Sequence, residues 1–182
     1  MAKRFESDSS ALTIWTIGHS TRTIEELTSL IDQNAIEVIA DVRRFPGSRR
    51  LPQFQSDALA ASLVLRGNDY VWLESLGGRR RGDPASANTA WRHPAFRAYA
   101  DHIMSEEFAE GLFELLMIAN GARTAIMCAE VLWWRCHRRL ISDVLVSLDI
   151  RVEHIMGDGK VEEHKIAPPA HLVGGALSYA AD

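Results

Sequence analysis

The chain has 182 residues, 47% of them hydrophobic and 24% charged, with a formal net charge of −4. This balance suits one globular domain with a sizeable core, and the acidic total counts against an extended polycationic nucleic-acid surface. Two cysteines exclude a disulfide framework, and runs such as "LFELLMIA" are too short to cross a membrane.

In chain order, residues 1–11 read as a flexible segment, because "MAKRFESDSSAL" has basic residues with no apolar stretch behind them, and so no secretion signal. A cytoplasmic location with no membrane partner is the expectation. "LTIWTIGHS" predicts a buried strand from Leu12 to Ile17, stopped by Gly18. "STRTIEELTSLIDQN" follows with Ile24, Leu27, Leu30 and Ile31 at helical spacing. Thr23 and Glu26 there form a capping box, with Ser20 and Thr21 as alternative caps. "AIEVIADV" is near-continuously apolar, as a strand covered on both faces must be, and runs into "RRFPGSRRLPQF", punctuated by Pro46, Gly47 and Pro52. "SDALAASLVLRG" predicts a helix and "DYVWLESLGG" a third strand; "RRRGDPASANTAWRH" predicts a mobile polar insertion. One long or two shorter helices then end at Gly121. "ARTAIMCAE" is a fourth strand, "RCHRRLISDVLVSL" a helix, "IRVEHI" a fifth strand, and "MGDGKVEEHKIA" a hairpin or edge extension. The division expected is a single domain over residues 12–166 and a loosely ordered tail over 167–182. Strands alternating with helices argue for an α/β fold: a mostly parallel central sheet of about five strands with helices on both faces, three-layer and Rossmann-like.

In such sheets ligands bind beyond the carboxyl ends of the strands. Here every strand end carries polar residues: "GHS", "DVRRFPGSRR", "LGGRRR" and "CAEVLWWRCHRR". Ten of the 20 basic residues lie in three short stretches, Arg43, Arg44, Arg49 and Arg50, then Arg79 to Arg81, then Arg135, Arg138 and Arg139. Arginine offers a planar fork of donors matched to phosphate and carboxylate. The convergence predicts an anion pocket at the strand tips.

"TIGHS", "DVRRFPGSRR", "LGG", "MCAE", "CHR" and the "HI" after the last strand, in this order and spacing, resemble the domain-of-unknown-function 488 family, from about Thr16 to His164. The pairing of MCAE with CHR is the specific part. The resemblance implies an α/β domain with a shared polar site and implies no particular reaction.

Each candidate has a bland counterpart. Cys128 ends an apolar strand, where cysteine often serves as a small hydrophobe, and Glu130 beside it would raise its thiol pKa. His137 and Arg138 fall in the first turn of a helix, where cations call for a compensating anion, either a bound ligand or Glu130 and Asp41. Cys136 is expected to turn away from His137, because adjacent helical residues do not share a face. His19 is a candidate general acid or base. Asp41 and Arg43, two apart in a strand, face one way and read as a clamp or, with Glu130, as part of an acid–base pair. Gly18, Gly47, Gly77 and Gly78 read as turn formers, with no phosphate-binding glycine motif. Zinc held by Cys128, Cys136, His137 and His19 has the right inventory but lacks the paired spacing, and no metal or other cofactor is assigned.

Two function classes follow. One is an enzyme acting on an anionic substrate, a nucleotide, another phosphate-bearing molecule or a nucleic acid. Ser20, Arg43, Ser48, Arg49 and Arg138 would bind the anion, with His19, Asp41, Cys128, Glu130 and His137 around the reacting group. The other is a non-catalytic nucleotide or nucleic-acid binding module, with the arginine loops on phosphates and Phe45, Trp72, Trp91, Trp133 or Trp134 offering stacking surfaces. The expected partner is a small anionic ligand or nucleic acid, and the sequence leaves a homodimer open.

Overall fold

The structure is a computed structural model that describes residues 12–157 and 159–181. The segment read as flexible, residues 1–11, lies outside the described residues. The elements are β1 (Thr13–Gly18), α1 (Ile24–Gln33), β2 (Val38–Asp41), α2 (Ser56–Val64), β3 (Asp69–Trp72), α3 (Pro94–Ile103), α4 (Glu106–Gly121), β4 (Thr124–Cys128), α5 (Arg138–Ser147), β5 (Arg151–Gly157), β6 (Lys160–Glu163), β7 (His171–Val173) and β8 (Ala176–Ser178). The main sheet runs β3-β2-β4-β1-β5-β6; its first five strands are parallel and β6 pairs antiparallel with β5 as a hairpin edge. The Thr23–Glu26 capping box is formed in both directions at the start of α1.

Strand order fixes which helices cover which face. The connections β1-α1-β2 and β2-α2-β3 step one way along the sheet, while β3-α3-α4-β4 and β4-α5-β5 step back. Right-handed crossovers therefore put α1 and α2 on one face and α3, α4 and α5 on the other. The core divides accordingly. Leu27, Ile31, Leu59 and Leu63 pack with Ile17, Ile39 and Met127, whereas Phe108, Leu115, Leu140 and Ile141 pack with Ile14, Ala40 and Ile126.

Two expectations about irregular segments are corrected. The insertion read as mobile is tied down: Arg80 donates to the carbonyls of Gly77, Glu74 and Ser75 and to Glu107, while Ser86 and Asn88 bond Asp101. Its polar residues satisfy the ends of neighbouring elements, which composition alone does not reveal. The tail read as loose forms the β7–β8 hairpin and buries Tyr179, whose hydroxyl donates to Asp143 of α5 at 2.9 Å. Hydrophobic cover for Trp91 and a buried carboxylate to satisfy hold it in place.

Candidate functional site

Gly18 ends β1 opposite Cys128 of β4, and the two loops stay in contact beyond the sheet: the His19 and Ser20 amides donate to the carbonyls of Cys128 and Ala129. A Cβ on Gly18 would stand 2.1 Å from the Glu130 carbonyl oxygen, so this glycine allows a close backbone approach and is no mere turn former. After Glu130 the chain makes a 3-10 turn at Trp133–Arg135 and passes through Cys136, which is extended, into α5, with His137 as its N-cap. Cys136 is thus outside the helix, and the rule that adjacent helical residues diverge does not apply to it. Its sulfur lies 3.6 Å from His137 Nδ1, and the Cys128 sulfur lies 4.0 Å from the same atom. The three ligating atoms are all within 4.8 Å of one another.

His137 is oriented by the backbone. Its Nε2–H donates to the Val42 carbonyl at 2.9 Å, which turns Nδ1 toward the two sulfurs. Gly78 packs on the ring, where a Cβ would come within 2.9 Å of Nδ1. The thiols are unequal. Cys128 is pushed well up, first by Cys136 beside it and then by burial. Burial acts to raise Cys136 too, but Cys128, His137 and Arg138 outweigh it and hold that thiol well below its ordinary value. The arrangement favours a thiolate at Cys136, with Arg138 Nε donating to its sulfur at 3.5 Å.

This cluster adjoins a cavity of about 560 Å³ on the α3–α5 side, lined also by Arg44, Phe45, Arg79, Tyr99, Glu130 and Arg135. Arg79 and Arg135 are exposed at its mouth, while Arg44 is bridged to Glu74 and Glu107. Phe45 is 64% exposed and Trp134 41%.

A second polar assembly lies on the opposite face of the sheet. Asp41 is fully buried and accepts from Nε and Nη2 of Arg43 and from the Tyr70 hydroxyl at 2.8 Å. Arg43 Nη1 reaches the Phe54 carbonyl at 2.7 Å and His19 Nε2 at 3.3 Å. His19 stacks on Phe54 with ring centroids 4.1 Å apart. Its Nδ1–H donates to the Ser20 carbonyl, so Nε2 is the acceptor for Arg43 and the ring is neutral. Burial, then the Arg43 cation, holds its pKa down to about 4.

A third set runs beneath α5. Arg138 Nη1 donates to Thr16, which bonds His154 at 2.7 Å; His154 meets His164 at 2.9 Å and His164 meets Asp143 at 2.9 Å. Trp133 stacks flat on His154 with centroids 4.2 Å apart. Every donor group of Arg138 is engaged, by Cys136, Thr16 and the carbonyls of Glu130 and Val131.

The model of the family described as domain of unknown function DUF488 matches residues 23–145, most of the chain, including the arginine loop and the whole of the cysteine–histidine cluster. The chain belongs to the DUF488 family. No curated protein and no solved structure matches it.

In this DUF488 chain the sequence-derived candidates therefore do not form one crevice. Cys128, Glu130 and His137 line the cavity. His19 and Asp41 lie across the sheet, and Arg43 lends part of the cavity wall while its guanidinium is held by Asp41 and Phe54. Arg138 is turned into the fold. Ser20, with a positive φ of 44°, Ser48, which caps the Leu51 amide, and the exposed Arg49 are not part of the cavity lining. Lining residues that sequence reasoning did not assign to a site include Gly78, His93, Phe96 and Tyr99, and Cys136, read as packing or as one of four zinc candidates, belongs to the cluster. "LGG" after a strand was the available signal for Gly78; for Cys136 it was the position before a helix rather than inside it. Among the described residues no helix is long and apolar enough to cross a membrane.

Proposed function

We propose that this DUF488 protein is an enzyme acting on a nucleotide or other phosphate-bearing substrate, with the Cys128–Cys136–His137 cluster as its chemical centre. One observation carries the reading: two cysteines and a histidine with an open Nδ1 converge on a cavity whose mouth presents exposed arginines next to exposed aromatic rings. Arg79 and Arg135 suit the phosphate, and Phe45 and Trp134 suit stacking on a base, an interaction worth about 1–3 kcal/mol per base. The acidic total charge fits a compact ligand better than a long duplex. Glu130, exposed on the same rim, is the carboxylate within reach for proton transfer. A centre built on reduced thiols suits the cytoplasm. The exposed rings and arginines serve a non-catalytic nucleotide or nucleic-acid binding module equally well, so the test must separate binding from conversion.

A thermal-shift screen with mononucleotides, sugar phosphates, inorganic anions and short oligonucleotides, followed by mass spectrometry of each stabilising ligand, does so. The expected result is stabilisation by a phosphate-bearing ligand that is lost in the double variant Arg79→Ala/Arg135→Ala, together with conversion that stops in Cys128→Ala while binding persists. Binding without conversion selects the binding module. No stabilisation by any of these ligands sinks both readings.

A further inference from the structure

We infer that Cys128, Cys136 and His137 form a binding site for a soft divalent cation, zinc in the first instance, with the remaining coordination position open to the cavity. Zinc takes sulfur at about 2.3 Å and imidazole nitrogen at about 2.0–2.1 Å in a tetrahedron, which sets ligand-to-ligand spans of roughly 3.6 Å for sulfur to nitrogen and roughly 3.8 Å for sulfur to sulfur. Cys136 already lies 3.6 Å from His137 Nδ1, and Cys128 at 4.0 Å is within about half an ångström of the same span. All three atoms fall within 4.8 Å of one another, so side-chain adjustment alone brings them onto one ion.

The surroundings are those of a metal ligand set. A ligating histidine is oriented by a hydrogen bond from its other nitrogen, and here Nε2 donates to the Val42 carbonyl, turning Nδ1 toward the two sulfurs as the ligating atom. Thiolate is the ligating form of cysteine, and Arg138 Nε supports it at Cys136. The three ligands come from β4, the segment after it and the N-cap of α5, elements held together by the Gly18 contact and the Arg138 bonds to the Glu130 and Val131 carbonyls. All three also line the cavity, so a fourth ligand would come from that side. Three protein ligands with one open position is the pattern of a catalytic rather than a structural zinc. The site stands on this geometry and does not depend on which substrate the cavity takes.

The test uses the full chain, purified without a histidine tag and kept under a phosphine reductant. We expect about one zinc per chain by elemental mass spectrometry. On exchange for Co²⁺ we expect a near-ultraviolet thiolate-to-cobalt band with intense visible bands of a tetrahedral site, lost in Cys128→Ser and in His137→Asn. Absence of the thiolate band in the unaltered protein overturns the proposal, as does a band that persists in both variants. Because a variant can fail for want of folding, alkylation supplies a second readout on the unaltered chain: zinc should slow iodoacetamide labelling of Cys128 and Cys136 at least tenfold. Labelling at the same rate with and without zinc is the contrary result.

Discussion

At Gly78 the absence of a side chain decides where an imidazole can sit. A Cβ there would press within 2.9 Å of His137 Nδ1, closer than real Cβ contacts come, and within 3.2 Å of Cγ, so Gly78→Ala must displace the ring. The backbone around it has room to stay, because the clash is with a side chain. The expected outcome is a normal melting temperature with zinc affinity reduced about 10- to 100-fold, the range for disturbing the support of a metal ligand, measured by competition with a chromophoric chelator. Gly18→Ala should behave in the opposite way. Its clash at 2.1 Å is with the backbone of Glu130, and it should cost roughly 1–3 kcal/mol or more of stability, read from urea unfolding. Equal melting temperatures for the two variants would refute this distinction. At this scale the sequence showed which residues were polar and near strand ends, and the two-residue period correctly paired Asp41 with Arg43. It could not show that Asp41 and Cys128 face opposite ways. That depends on register, since Asp41 lies opposite Met127 and Cys128 is one residue further on.

Among the elements, the strands and helices of the main sheet were legible because buried parallel strands are continuously apolar and because Thr23 and Glu26 mark the start of α1. The β7–β8 hairpin was not, because strands of three residues are too short to display an alternation. Its energetic role is nonetheless specific. Tyr179 is 3% exposed, its hydroxyl satisfies one oxygen of the fully buried Asp143, and His164 satisfies the other. Tyr179→Phe keeps the ring and removes the donor, so a buried carboxylate oxygen loses its partner. We expect destabilisation by about 1–3 kcal/mol in urea unfolding with no change in the slope of the transition. A truncation after residue 166 should do worse, because Trp91 also loses its cover from the Tyr179 ring. If the truncated chain unfolds at the same urea concentration as the full one, the hairpin is not the brace described here.

Taken whole, among the described residues burial holds three histidines, His19, His102 and His154, below their ordinary pKa, and this shapes the response to acid. His19 is held down to about 4 by burial and by Arg43, with Ser20 and Asp41 opposing. His154 is held down to about 2 by burial, His164 and Arg138. His102 is lowered too, first by burial. In the unfolded chain all three titrate near 6.5. Below that pH the unfolded state takes up protons that the native state refuses, so stability falls with falling pH; above it neither state is protonated and the effect vanishes. The loss therefore begins near pH 6.5 and continues for His19 to about pH 4, and for His154 further down. Between pH 7 and pH 5 it amounts to on the order of 2 kcal/mol for each of His19 and His154, with His102 adding in the same direction. Carboxylates contribute little in that interval, since their unfolded values lie below it. Urea unfolding at half-unit steps from pH 7.5 to 5 should show the midpoint falling more steeply below pH 6.5 than above it, where the Cys136 thiol, held low in the native state, supplies the slope. His19→Gln, which keeps a donor and an acceptor beside Ser20 and Arg43, should remove on the order of 2 kcal/mol of the fall and leave the rest. A midpoint that is flat down to pH 5 would mean that none of these histidines is held neutral. It would also undercut the reading of His19 as a neutral acceptor for Arg43, and with it the assignment of the Asp41 clamp to structure rather than to chemistry.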